Sequence, residues 1–412
     1  MSVYRTRTEQ HQIKQSHSYY KLIDHLCSCS KNIYNRALYE QRQCYFKFNR
    51  FMSYPVLYDV LKTEEVFKQL PSVLGQQVLR QVTTNCNSFI KASIAFSKDN
   101  SKFRGRPKLP KYKSKDGRFK LEFTSNTFRL KNNTIHFHKC LEGFTIHTKQ
   151  QNIRSIQIVP RNNIYIVDII YDKEFSTELQ NPSNLKYIAG IDQGIDNFSA
   201  ITVWNNTSKP LIINGKGLKS YNKQFNKILA SLQSEAKKRN NKYITKRIQR
   251  LIQKRNNYIQ TWMHKASRIT VDYLQQNQVG ILVIGHNKGW KDNSQLSKQV
   301  NQTFIQIPYN QYISYITYKA QEVGIKVYIV EESYTSGTSF IDNEEPTKEN
   351  YNRSRRIYRG LFKSNDGTKI NSDVNASYQI SKKAFKGLVL NRSQFTVQQF
   401  HNKLEPYKVN VA

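Results

Sequence analysis

The chain has 412 residues, 38% of them hydrophobic, with 26 Tyr and 21 Phe, enough apolar material for two or three folded domains and too much for an intrinsically disordered chain. Its 65 Lys and Arg face only 29 Asp and Glu, a formal net charge of +36, and self-repulsion on that scale calls for an anionic partner, nucleic acid first among them. No apolar run approaches the ~18 residues of a membrane span and no leader pattern opens the chain, so a membrane role is excluded and a cytoplasmic, nucleoid-associated protein is expected.

From Ser18 to Ser97, apolar and aromatic residues recur at three- and four-residue spacing, as in Ile33, Ala37, Leu38 and Tyr45, the pattern of a small helical domain. Pro71 ahead of SVLGQQVLRQV marks a helix start with proline in the first turn. Between Phe103 and Tyr171 the period becomes two. KLEFTSNTFRL, NTIHF, and the runs RSIQIV and IYIVDIIY on either side of Pro-Arg-Asn-Asn read as antiparallel hairpins of a β-barrel-like module. The stretch SKFRGRPKLPKYKSK before them is a basic loop in which Arg104, Arg106, Lys108 and Lys111 could follow a phosphate backbone, and a solvated linker explains it equally well.

Cys27, Cys29, Cys44, Cys86 and Cys140 form no CxxC pairs, which supports neither a disulfide framework nor a zinc ribbon. His136, His138 and Cys140 alternate along a strand-like run without a fourth ligand, and strand alternation accounts for them.

Residues 173–186, DKEFSTELQNPSNL, have the composition of a linker, and beyond them the pattern is α/β. YIAGID (187–192), FSAITVW (198–204) and LIING (211–215) read as strands. Lys216 to Arg268 reads as a long basic helical region. Ile244, Ile248, Leu251 and Ile252 keep one face of it for packing, while Lys246, Arg247, Arg250, Lys254 and Arg255 surround that face. Because acids are nearly absent there, nucleic-acid contact is favoured over a merely solvated surface. ILVIG (281–285), a helix led by Pro308 and ended by Gly324, and IKVYIV (325–330) form a strand–helix–strand crossover. Ser333 to Asn371 lacks periodicity and reads as an insertion, DVNASYQISKKAF (373–385) as a closing helix, and the last dozen residues as a frayed tail.

Acids are scarce, so their positions in the α/β half carry information. Asp192 ends the first strand, Glu331 and Glu332 follow the last, and Asp373 opens the final helix. Phosphodiester hydrolysis on two hard cations about 4 Å apart needs carboxylates converging from separate elements. Taken singly, a turn-forming Asp192, an N-capping Asp373 and a lysine-paired glutamate explain each position as well.

The order GIDQGIDNFSA, basic helical region, ILVIG, VEESYTSGTSF, DVNASYQI resembles the RuvC-like nuclease of the TnpB family, transposon-encoded relatives of type V CRISPR effectors and of the eukaryotic Fanzor proteins. NIYNRALYEQR, LPSVLGQQVLRQV and GRPKLPKYK resemble that family's N-terminal recognition and wedge segments. The resemblance implies an α/β RNase H-like (RuvC) nuclease domain at 187–400, with its insertion at 333–371, behind an N-terminal β-barrel (wedge) at 1–17 and 101–172. A helical recognition domain at 18–100 interrupts the barrel, a linker spans 173–186, and a flexible tail spans 401–412.

The same resemblance implies an RNA-guided DNA endonuclease of a transposable element. It would bind guide RNA and target double-stranded DNA and cut beside a short target-adjacent motif with two Mg²⁺ ions. Motif I falls on Asp192, expected to bridge both ions, and motif III on Asp373. Two departures stand out. Where the family usually has its glutamate, at the end of ILVIG, this chain has Gly285. The ligand is then expected just before YTS, as in some TnpB and Fanzor proteins; only one of two neighbours on a strand can face the metals, and the spacing to YTS favours Glu332 over Glu331. The zinc ribbon is also missing, so no zinc is expected and the cluster RSRRIYR is free to contact substrate. A guided DNA-binding repressor that has lost catalysis, suggested by Gly285, and a DNA-strand transferase are the alternatives.

Overall fold

The computed structural model describes residues 3–175, 186–205, 207–241, 243–287, 306–358 and 360–411. The chain divides into two compact units at Phe175/Ser176. Most of the expected linker, 176–185, lies outside the described residues.

In the first unit β1 (Val3–Ile13) pairs antiparallel along its whole length with β7 (Ile164–Phe175), which pairs with β6 (Ile153–Arg161), which pairs with β2 (Leu121–Thr124). A second sheet joins β3 (Phe128–Lys131), β4 (Thr134–Phe137) and β5 (Thr145–His147). Both tight hairpins turn on Asn-Asn: Asn132 and Asn133 have φ of 50° and 56°, Asn162 and Asn163 of 45° and 66°. These are the left-handed conformations that a two-residue turn between twisted strands requires and that asparagine tolerates.

The helices α1 (Tyr20–Phe48), α2 (Tyr54–Leu61), α3 (Glu65–Lys68) and α4 (Ser72–Lys98) lie between β1 and β2 in sequence. They have no core of their own. Ile33, Ala37, Leu38, Leu79 and Val82 share one buried cluster with Phe123, Ile156, Ile158 and Val167 of the strands, so helices and sheets bury each other. Asp24 of α1 locks the joint by accepting two hydrogen bonds from Arg118 and one from the Tyr165 hydroxyl, and the guanidinium holds its carboxyl below the usual range. The His138 ring accepts from the Cys140 amide, so it caps a turn.

In the second unit β8 (Tyr187–Gln193), β9 (Asn197–Val203) and β10 (Leu211–Asn214) form an antiparallel meander. Two helices follow, α5 (Lys216–Asn240) and α6 (Lys246–Gln276). The long basic helical region is divided in two because Asn241 turns left-handed at φ 49° and Thr245 starts a new helix by accepting from the Ile248 amide. Ile244 therefore lies outside the helix and is exposed. Strand β11 (Val279–Gly285) returns parallel to β8, and after α7 (Tyr309–Glu322) strand β12 (Lys326–Val330) lies parallel to β11.

The closing helix α8 (Ser372–Ala384) packs on the opposite face of the sheet from α6 and α7. Ile201, Leu211 and Ile213 point to the α6–α7 side while Ala200 and Ile212 point to the α8 side, the alternation of strands covered on both faces.

The last dozen residues do not fray. Helix α9 (Val397–Leu404) buries Leu404, and β16 (Tyr407–Asn410) pairs parallel with β10; it satisfies backbone groups that would otherwise leave β10 an open edge. Lys403 of α9 is buried, donates to the Val203 carbonyl and Asn205 Oδ1, and is pushed down to about 7 by desolvation. Below pH 7 folded and unfolded chains both carry that proton, and the buried charge destabilises in full. Between pH 7 and the usual lysine range only the unfolded chain keeps it, so stability rises with pH. Lys403→Met should therefore unfold about 3 °C higher than wild type at pH 6 and lose that advantage by pH 10, measured by thermal denaturation; a pH-independent difference would refute it.

The insertion is folded. Strands β13 (Arg356–Tyr358), β14 (Leu361–Lys363) and β15 (Lys369–Asn371) form a small sheet. Arg355 pairs with Glu344 at 2.7 Å, and Phe340, Ile341, Phe362 and Ile370 bury against α8. Polar cross-links and this apolar patch hold the segment together without cysteine.

Candidate active site

One contact places two of the three carboxylates. At Gly190 a Cβ would stand 2.1 Å from the Ser377 carbonyl, so only glycine lets α8 lie directly on β8. The Ser377 hydroxyl donates to the Gly190 carbonyl at 2.8 Å and meets the Thr202 hydroxyl at 2.9 Å. Two residues along β8, on the same face, is Asp192; one turn back along α8, on the same face, is Asp373. Steps of ~6.6 Å on the strand and ~6 Å on the helix bring them to the same end of the contact.

Neither aspartate plays its structural alternative. Asp192 lies within β8 opposite Ala200 rather than in a turn. Asp373 does not cap α8; Asn371 does, its Oδ1 accepting from the Asp373 and Val374 amides. The Asp373 carboxylate instead accepts from Asn197 Nδ2 at 2.7 Å, and its charge sits favourably in the first turn of the helix.

The third carboxylate arrives from β12. That strand ends at Val330, so Glu331 and Glu332 stand in the following turn and strand alternation is not what separates them. Asn287, two residues past β11, does. Its Oδ1 accepts from the Glu332 amide at 3.0 Å and its Nδ2 donates to Glu332 Oε1 at 3.1 Å. Thr335 of the YTS motif closes the turn, its hydroxyl donating to the Glu332 carbonyl at 2.8 Å, and Tyr334 takes up a left-handed φ of 67°. Glu332 thus faces the cleft. Glu331 points away, its side chain 65% exposed and paired with Lys383 at 3.3 Å.

Gly285 leaves room for the Glu332 side chain. A Cβ there would lie 3.0 Å from Glu332 Oε2 and 2.6 Å from Ile380 Cδ1. The side chain of Glu332 already occupies the space into which a residue at 285 would grow.

Asp192, Glu332 and Asp373 line one cleft of about 540 Å³ with Asn287, Tyr334, Tyr351 and Arg356. Asp192 is raised well above the usual carboxylate range by burial, then by the charges of Asp373 and Glu332, against which Arg356 works. Burial raises Glu332 to about 7, and its Oε2 is buried without a hydrogen-bond partner. Among the described residues no group of three or more His, Cys, Asp or Glu stands close enough to hold a metal ion. An unpartnered acceptor and three hard oxygen donors short of positive charge suit a divalent cation.

Arg356 is the residue that sequence reasoning placed only within a basic cluster; the fold of the insertion brings it to the carboxylates. Asn375 of the DVNA string anchors that insertion. Fully buried, it donates to the Thr338 carbonyl at 2.7 Å and accepts from the Phe340 amide at 2.9 Å.

The basic candidates fall into two groups. In the first unit Arg104, Arg106, Lys108 and Lys111 are all exposed on the loop before β2. In the second, Lys246, Arg250 and Lys254 form an exposed row at four-residue spacing on α6, with Arg247 beside it. Arg255 does not join that row. It is partly buried, donates to Asn222 Oδ1 at 3.0 Å and to the Gln306 carbonyl at 3.1 Å, and lies over Phe225. Among the described residues no helix is long and apolar enough to cross a membrane.

A meander of three strands extended by two parallel ones, with carboxylates at the strand ends and on the helix across the sheet, defines an RNase H-like fold of the RuvC kind. Residues 168–291 match the family model described as "Probable transposase" (OrfB_IS605), and residues 309–380 the "Cas12f1-like, TNB domain" model. Both matches are consistent with the TnpB resemblance of the motifs. Solved structures similar to it include a Cas12f1-sgRNA-target DNA complex, at 16% identity over 92% of this chain and 100% of that one with a TM-score of 0.37. A CRISPR-Cas12f ternary complex aligns at 14% over 88% and 80%, with a TM-score of 0.38, and the mini-RNA-guided endonuclease CRISPR-Cas phi3 at 9% over 92% of each chain, with a TM-score of 0.49. No curated protein matches the chain at a significant level.

Proposed function

We propose that this chain is an RNA-guided DNA endonuclease of a transposable element, cutting DNA beside a short target-adjacent motif at Asp192, Glu332 and Asp373. The observation that carries the reading is the convergence of three carboxylates from β8, the turn after β12, and α8 on one cleft, with Glu332 Oε2 unpartnered. Mg²⁺ suits these donors, and a pair of such ions, when bound, would supply an activated water and charge stabilisation at the leaving 3′ oxygen. The protein's part is to hold three oxygen donors on one cleft and to set Arg356 beside them where phosphate charge develops. The exposed rows on α6 and on the loop before β2 neutralise backbone phosphates, and the N-terminal unit serves as the wedge and recognition module, taking a guide RNA and the target duplex. Gly285 does not make the chain an inactive repressor, because Glu332 fills its place.

The test is to sequence RNA that co-purifies with the protein, then present DNA matching it. A discrete RNA and Mg²⁺-dependent, EDTA-sensitive cutting of the matched DNA are expected. Absence of a discrete RNA sinks the guided reading; binding without cutting in Mg²⁺ selects the repressor; joining of DNA ends without a guide selects the transferase. Within the same reading Asn287→Leu, which removes both hydrogen bonds that Asn287 makes to Glu332, should slow cutting about 10- to 100-fold while leaving target affinity unchanged in a filter-binding assay.

A further inference from the structure

The first unit carries a surface that phosphate neutralisation does not explain. Along one face of α1, at spacings of three and four, stand Tyr39, Arg42 and Phe46. Phe46 is 62% exposed and Tyr39 47%. The Arg42 guanidinium lies 5.7 Å from the Phe46 ring and 5.0 Å from the ring of Tyr112, itself 44% exposed, which reaches α1 from the basic loop. Just beyond, Phe48 is 56% exposed beside Lys47 and Arg50.

The geometry is fixed rather than incidental. Asn35 of α1 donates to the Lys113 carbonyl at 2.9 Å and accepts from the Lys113 amide at 2.8 Å, Lys31 donates to the Lys115 carbonyl, and Ser30 to the Lys120 carbonyl. These contacts pin the loop one residue from Tyr112.

Large rings left in water on a folded protein mark a surface that something covers. Here each ring is interleaved with a guanidinium or ammonium, and the loop that supplies Tyr112 also presents Arg104, Arg106, Lys108 and Lys111 to solvent. A second copy of a chain of net charge +36 would be repelled from such a patch. Flat π-faces and planar cations beside a phosphate-binding loop match unpaired nucleobases still joined to their backbone.

We propose that Tyr39, Arg42, Phe46 and Tyr112 form a stacking platform for unpaired bases of a single strand, recognising base faces while the loop holds the phosphates. This does not depend on the carboxylate site and is measured without divalent metal. The experiment is fluorescence anisotropy on full-length, RNA-free protein with four labelled probes: a 20-nucleotide oligo(dT), oligo(U), an abasic strand of equal charge, and a 20-base-pair duplex.

Wild type is expected to bind the base-bearing strands about tenfold or more tighter than the abasic one. Phe46→Leu/Tyr112→Leu, which keeps apolar bulk at exposed positions, should erase that preference and leave abasic and duplex binding within about twofold; Arg42→Gln, as a second variant, should reduce it in part. The better of oligo(U) and oligo(dT) tells whether the strand is RNA or DNA, and either supports the platform. The proposal is overturned if wild type shows no preference for bases, if the leucine variant loses all four probes alike, or if light scattering shows the variant changing only the oligomeric state.

Discussion

Asp192→Ala should lower target cleavage about 10³-fold, a loss of several kcal/mol of charge stabilisation at the scissile phosphate, with target and guide binding within about twofold of wild type. The expectation follows from position. Asp192 is the carboxylate whose proton affinity is raised by both of the others, and it lines one cleft with them. A second effect should accompany the first. With no divalent ion present, Asp192→Asn removes the carboxyl whose ionisation burial and the two neighbouring charges oppose. It should raise the unfolding temperature by a few degrees at pH values above the usual carboxylate range, an advantage lost at lower pH where folded and unfolded chains both hold the proton, since ~1 kcal/mol is worth about 2–4 °C in a unit of this size. Added Mg²⁺ should narrow the gap by stabilising wild type alone. Normal cleavage by the alanine variant would remove Asp192 from the mechanism. An asparagine variant no more stable than wild type would show that the carboxylates do not repel one another as their surroundings indicate.

Glu332→Ala should be as severe, about 10²–10³-fold, while Glu331→Ala, which breaks an exposed pair with Lys383 and a hydrogen bond from the Ser333 hydroxyl, should cut within about twofold of wild type. The contrast matters more than either value, because the two residues are adjacent and chemically identical and differ only in where Asn287 and Thr335 aim them. Gly285 allows a further step. In wild type a glutamate at 285 would collide with Glu332, so Gly285→Glu alone should be nearly inactive. In a Glu332→Ala background the obstructing oxygen is gone, leaving Ile380 to give way, and Gly285→Glu should recover cleavage at least about tenfold over Glu332→Ala. If Glu331→Ala proves the damaging change, the assignment of the third ligand is wrong; if the double variant stays dead, the two positions do not serve one point in space.

Much of this was legible in the residues. Unbroken apolar runs marked β8, β9 and β11 because a strand covered on both faces has no polar side to show, and Asn-Asn pairs marked both tight hairpins because few residues accept a left-handed φ. Asp192, Glu331, Glu332 and Asp373 drew notice because acids are rare in this chain and these stand at element ends, and the motif order resembling the TnpB family is what singled out three of them. Other features depend on tertiary contacts that leave no periodic trace. Asn287 and Asn371 look like ordinary loop asparagines until their amides are seen to hold Glu332 and to cap α8. The insertion is built from single ion pairs and three-residue strands, so its order, and with it the approach of Arg356, was invisible. Arg255 reads like its neighbours on α6, and only its contacts with Asn222, Gln306 and Phe225 separate it from the exposed row. The C-terminal strand was missed because four residues of modest apolarity become a strand only when β10 offers them an edge.

The pairing of an absent side chain at 285 with a present one at 332 also bears on how loss of function is judged among relatives of this chain. An alignment column that reads glycine where an acid is usual scores as an inactivated gene, yet here the absent side chain leaves room for a carboxylate from the turn after β12. Degeneration would leave the volume beside Ile380 filled by something inert; migration leaves it filled by an oxygen. Counting the oxygens that reach a point, rather than the letters that occupy a column, is the criterion that tells a decayed enzyme from a rearranged one.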